Sequence, residues 1–164
     1  MSTYDPCLPD GDIERMIEAE PFSKGTARHA YSLKSDPNAI VKKSIRSRNY
    51  SNILEWTIWL GAENHPELAS VLGRCYCLSE TGLYLIMERL DDIVKEDYAL
   101  VPDIPAWCND GKPDAFGKRD RVIKVRDYGM VRFDELLNRT KVKPPAFALN
   151  ARTNALMNKR GESD

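Results

Sequence analysis

Apolar positions along this chain alternate between a period of two and a helical period, and the changes mark its elements. Phe22 to Leu33 reads as a hairpin, Ser35-Asp36-Pro37-Asn38 as a turn, and Ala39-Ile40-Val41-Lys42-Lys43 as a buried strand ending in basic residues. Ile53, Leu54, Trp56, Ile58, Trp59 and Leu60 follow at helical spacing, which predicts a helix over 51–62 with Ser51 or Asn52 as its cap. Val71 to Leu78 and Leu83 to Leu90 predict a strand pair joined by the turn Ser79-Glu80-Thr81-Gly82. Val122-Ile123-Lys124-Val125-Arg126 predicts another strand, which delivers Asp127-Tyr128-Gly129 into a bend. Short helices are predicted within 12–20 and 91–100, the second stopped before Pro102, and a last helix over 147–157 precedes a frayed tail at 158–164. The pattern predicts an α+β fold: a twisted antiparallel sheet of about five strands with one packed helix at 51–62. It predicts a single domain over 1–164, with the sheet and helix in 22–90 and a smaller, irregular segment in 91–150.

Composition narrows the class only a little. With 164 residues, 42% hydrophobic and 30% charged at a net charge of -1, the chain has the balance of one soluble globular domain. Charge is uneven, however: from Lys118 onward there are twelve Lys/Arg against six Asp/Glu. This basic C-terminal third could meet nucleic acid or an acidic partner, but its charges are scattered and no nucleic-acid motif accompanies them, so a solvated surface fits as well. Cys75 and Cys77 flank Tyr76 and are predicted on one face of a strand. With no Cys-x-x-Cys pair and only two histidines, a zinc site is not expected. Reduced thiols and the lack of any membrane-spanning run lead to the expectation of a cytoplasmic protein.

Candidate chemistry sits at the ends of these elements. Glu55 is the only acidic residue in its apolar helical stretch and shares a face with Ile58 and Trp59. A carboxylate buried there needs a cation, and Lys42 at the end of the preceding strand would supply it. Further on stand Cys108-Asn109-Asp110-Gly111-Lys112-Pro113-Asp114-Ala115 and then Asp127-Tyr128-Gly129. In this order the stretches resemble the parts of a protein kinase, cut very short. The first hairpin resembles the loop Gly-x-Gly-x-x-Gly-x-Val, with Gly25 at the middle glycine, Ser23 and Arg28 at the outer two and Ala30 at the valine. Ala39-Ile40-Val41-Lys42 is similar to Val-Ala-Ile-Lys, which implies that Lys42 holds phosphates and pairs with Glu55. Residues 69–90 resemble the strand pair entering the hinge, which implies Met87 as gatekeeper and backbone groups of Glu88 to Leu90 facing adenine. The stretch 108–115 resembles His-Arg-Asp-Leu-Lys-Pro-Glu-Asn, with Asp110 on the catalytic aspartate and Lys112 and Pro113 matching outright. Those residues also compose a plain surface turn.

The resemblance covers roughly Phe22 to Arg132, and small kinase-like proteins of bacterial viruses are similar in keeping such a strand lobe with a loose hairpin. It implies ATP and Mg²⁺ as cofactors, with Asp127 holding the metal, Asp114 as a substitute for the asparagine ligand of a second ion, and Asp110 and Lys112 at the transferred group. Ala115 stands where an asparagine would bind a second metal ion, two loop glycines are replaced, and the large helical lobe is reduced to a remnant. Two functions of different class follow. One is a kinase-fold binding protein with degraded motifs, for instance a virus-encoded inhibitor acting on a host protein complex. The alternative is a minimal ATP- and Mg²⁺-dependent Ser/Thr protein kinase.

Overall fold

The computed structural model describes residues 4–46, 48–108, 111–132 and 141–161, with 159–161 described as backbone only. The fold is α+β, and the chain divides into two compact units, Met1–Ala69 with Gly73–Arg89 and Ser70–Leu72 with Leu90–Asp164.

The first unit is built on a six-stranded sheet. In chain order its elements are β1 (Cys7–Leu8), α1 (Asp10–Met16), β2 (Ser23–Lys24), β3 (Arg28–Ser32), β4 (Ala39–Ser44), α2 (Ser51–Ala62), then α3 (Pro66–Val71) leading into β5 (Cys75–Ser79) and β6 (Tyr84–Glu88). Hairpin, lysine-bearing strand, helix and strand pair thus follow one another as the kinase resemblance implied. The spatial order is β1-β5-β6-β4-β3-β2. Every pairing is antiparallel except the sixth strand, β1, which runs parallel to β5 at one edge. This edge was not legible because Cys7-Leu8 is too short to show a period.

β4 reads as an unbroken apolar run because the sheet is covered on both faces. Ala39 and Val41 pack with Ile13, Ile17, Tyr84 and Ile86 on the face that α1 covers. Alternation then turns Ile40, Lys42 and Ser44 to the other face. There α2 lies against β4, β5 and β6 and buries Asn52, Glu55, Trp59 and Ala62, one stripe at helical spacing. Trp59 is core, while Trp56 is only half-buried. Gly82 makes the close approach of α2 possible. Its φ is +76°, and a Cβ there would stand 2.6 Å from Ile53 Cγ1.

Three local expectations are corrected. First, α2 is not capped by Ser51 or Asn52: Tyr50 holds the cap position with no side-chain bond of its own, the Ser51 N–H donates to Asn49 Oδ1 at 2.8 Å, and Asn52 Oδ1 accepts from Arg28 instead. Second, Val71-Leu72 does not begin a strand. Pro66 starts a second short helix, α3, the position where its missing N–H costs nothing, and β5 begins at Cys75. Third, Cys75 and Cys77 do not share a face. The register slips between them, so Cys75 opposes Met87 while Cys77 opposes Ile86, neighbours that point to opposite sides of β6. Both cysteines are buried, as is Cys108, whereas Cys7 is exposed. Burial pushes the Cys77 thiol up to about 11. An aromatic disulfide reagent is therefore expected to titrate one thiol quickly in the native protein and the other three only on unfolding. Two or more fast thiols would contradict this packing.

The second unit carries β7 (Asp91–Asp92), a 3₁₀ turn at Lys95–Leu100, β8 (Ile104–Pro105), a 3₁₀ turn at Pro113–Ala115, β9 (Phe116–Arg119), β10 (Val122–Val125), β11 (Val142–Lys143) and α4 (Ala146–Gly161). β9 sits between β7 and β10, and β8 pairs with β11. The Phe147 ring meets Tyr98 and Phe116 edge-on at 4.7 and 5.4 Å, fixing α4 against the 3₁₀ turn and β9. β9 was not foreseen, since Phe116-Gly117-Lys118-Arg119 has no alternation. It is a strand because it closes a hairpin with β10. The turn residues Asp120 and Arg121 have φ of 50° and 68°, the left-handed pair that such a two-residue turn needs. Arg121→Gly is expected to stabilise the protein by up to about 1 kcal/mol, read as a raised urea midpoint. A lowered midpoint would mean that the arginine side chain contributes more than its backbone strain costs.

Candidate functional site

The strongest constellation lies in the first unit. β4 turns Lys42 toward α2, and α2 turns Glu55 toward the sheet. Lys42 Nζ donates to Glu55 Oε2 at 2.9 Å and to Oε1 at 3.1 Å. Glu55 is fully buried and Lys42 only 8% exposed, so water does little to screen the pair. Lys43, on the opposite face, instead reaches Glu14 at 3.4 Å and lies over the Tyr84 ring.

Two further residues complete the cluster. From β3, Arg28 Nη2 donates to Glu55 Oε1 at 2.9 Å and Nη1 donates to Asn52 Oδ1 at 3.1 Å. The Asn52 amide nitrogen donates to the carbonyls of Lys42 at 3.1 Å and Leu83 at 2.9 Å, tying the first turn of α2 to β4 and to the β5–β6 turn. Sequence reasoning missed both roles. The available signal was spacing, since Asn52 precedes Glu55 by three and so shares its face.

Gly25 sits at the tip of the β2–β3 hairpin. Its N–H donates to the Arg28 carbonyl at 2.9 Å, closing a tight turn, and a Cβ at 25 would stand 2.9 Å from that same oxygen. Close backbone approach thus accounts for the glycine within the hairpin itself. The Ala27 carbonyl accepts from Ile45 N–H and from the Asn49 amide, so the tip is anchored to the segment after β4. Met87 is fully buried within the sheet. Of the groups expected to face adenine, the Glu88 N–H donates to the Arg74 carbonyl and the Arg89 N–H to the Asn38 carbonyl. The Glu88 side chain accepts from Arg74 N–H, and the Leu90 carbonyl accepts from Arg126 Nη1.

In the second unit β10 ends at Val125, and the half-buried Asp127 follows, next to the fully buried Tyr128. The Ala115 carbonyl accepts from both Arg126 N–H at 2.8 Å and Asp127 N–H at 3.2 Å. The turn carrying Asp114 is thereby joined to the segment carrying Asp127. Lys112 and Asp114 are exposed, and Ala115 is buried. Asp110 lies outside the described residues. Among the described residues no group of three His, Cys, Asp or Glu side chains could hold a metal ion. Carboxylates are the donor type that Mg²⁺ takes when it arrives on a nucleotide.

The basic C-terminal third is partly neutralised from within. Lys118 pairs with Asp97 at 2.7 Å, Arg126 with Asp92 at 2.7 Å and Arg152 with Asp103 at 2.8 Å. The bond from Lys118 holds the Asp97 carboxyl below its usual range. No helix among the described residues is long and apolar enough to cross a membrane.

No protein-family model matches the chain. No curated protein matches it. Among solved structures it is similar to the ternary complex of streptomycin, ATP and APH(2")-IIa, at 18% identity over 58% of this chain and 34% of that one, with a TM-score of 0.39. The chain thus spans about a third of that protein's length.

Proposed function

We propose that this protein binds ATP with Mg²⁺ through a reduced kinase-like site, in which Lys42 holds the phosphates and Glu55 holds Lys42. The observation that carries this reading is the buried Lys42–Glu55 ion pair, flanked by a glycine hairpin and formed by a strand and a helix in the expected order. A buried ion pair is a poor way to gain stability, and this one joins the strand and the helix that the resemblance would use to place a phosphate-binding lysine. Lys42 would neutralise α- and β-phosphate charge. Asp127 and Asp114 would take the Mg²⁺, which supplies the remaining neutralisation. Asp110 would accept the proton of an acceptor hydroxyl, with Lys112 beside the transferred group.

Whether the bound nucleotide is spent on phosphoryl transfer is the point on which two readings part. Ala115 is buried and offers no metal ligand, which favours a binding protein that acts by occupying a partner's surface. An inhibitor, virus-encoded, of a host protein complex belongs to this reading; a minimal Ser/Thr protein kinase is the other.

The test is thermal melting with and without ATP and excess Mg²⁺. Ligand at 100 times its dissociation constant adds about 2.7 kcal/mol, which corresponds to roughly 5–10 °C for a chain of this size. The shift is expected in the native protein and not in Lys42→Ala. No shift at millimolar nucleotide would overturn the proposal. Labelled-phosphate transfer that disappears in both Lys42→Ala and Asp127→Ala would select the kinase, and its absence despite binding would select the binding protein.

A further inference from the structure

We propose that Arg28 is a positioning residue that holds Glu55 against Lys42 before any ligand arrives, so that the ion pair of this chain is permanently assembled rather than switched. The consequence for nucleotide binding rests on the reading given above; the lock itself is a property of the first unit alone.

Arg28 stands where the family loop would have its third glycine, a residue with no side chain to offer. Here the guanidinium reaches from β3 to two residues of α2 at once, Glu55 at 2.9 Å and Asn52 at 3.1 Å. Those residues are three apart and lie on one helix face. A planar fork that grips two positions on one face fixes the rotation of the helix about its axis as well as its distance from the sheet. Asn52 adds a second restraint, through its bonds to the Lys42 and Leu83 carbonyls. The hairpin that presents Arg28 is itself held, through Gly25 N–H to the Arg28 carbonyl and through the Ala27 carbonyl to Ile45 and Asn49.

Swinging α2 outward would therefore break the contacts of Arg28, Lys42 and Asn52 together and would move a fully buried carboxylate. A switch needs two states of comparable free energy, and these simultaneous losses remove the second. Nucleotide binding should then need no activating partner to bring the helix in.

Hydrogen exchange of the α2 amides, in the full chain without nucleotide, tests the lock. The variants are Arg28→Gly, which restores the family residue, and Arg28→Lys, which can make one contact but not the fork. In Arg28→Gly the α2 amides are expected to exchange at least about tenfold faster, the weight of one charge-assisted hydrogen bond, while β5 and β6 amides keep their protection. Arg28→Lys should fall between. In the native protein saturating ATP with Mg²⁺ should raise α2 protection only as far as it raises that of β5 and β6, the gain in global stability that binding brings. Unchanged α2 exchange in Arg28→Gly, an increase spread evenly over the sheet, or a gain on ATP in the native protein that is larger at α2 than at β5 and β6 would each overturn the proposal. A native protein with no affinity for ATP would refute the nucleotide reading, and the ligand-free comparison would still decide the lock.

Discussion

Glu55→Ala is expected to be among the most damaging single changes in this chain, costing about 3–5 kcal/mol and lowering the melting temperature by roughly 6–20 °C. The carboxylate is fully buried and is shared by Arg28 and Lys42, so its loss removes the counter-charge from two nearly buried cations at once. Lys42→Met should cost less than Glu55→Ala, because Arg28 still donates to the carboxylate. Denaturant unfolding of both variants checks the order. Equal costs, or a costlier Lys42→Met, would mean that Arg28 contributes little to holding the charge.

Asn52→Ala is the second large effect, expected at about 2–4 kcal/mol. The side chain is fully buried and satisfies the Lys42 and Leu83 carbonyls with its amide nitrogen and Arg28 with its oxygen. Alanine leaves those groups to find other partners where little water reaches. The loss should not add to that of Arg28→Gly, since the two residues share a bond. A double-mutant cycle is expected to show coupling of about 1 kcal/mol, and strict additivity would contradict a single network.

The sequence made the central pair of this site legible because its logic is local and chemical. One acidic residue in an apolar helical stretch, one lysine at the end of a buried strand, and the cost of burying either alone point to each other without any tertiary information. The strands β4, β6 and β10 were legible for a similar reason, the first two as apolar runs and the third by its alternation. What escaped was whatever depends on a partner. β1 and β9 are strands only because a neighbour pairs with them. The bulge that separates Cys75 from Cys77 follows from the register with β6, which neither strand encodes by itself. Asn52 looked like a cap because asparagine near a helix start usually is one. Here, though, Arg28 takes the oxygen that would cap, and the Lys42 and Leu83 carbonyls hold its nitrogen. Arg28 was seen as a missing glycine, whereas its side chain closes the network.

The most direct test of the account is calorimetric titration of ATP with excess Mg²⁺ into the native protein and into Lys42→Met, each verified as folded. Saturable one-to-one binding to the native chain is expected, with affinity at least about tenfold weaker in the variant, the effect of losing one charge-assisted phosphate contact. Equal affinity in the two proteins, or no heat with either at millimolar nucleotide, would contradict it.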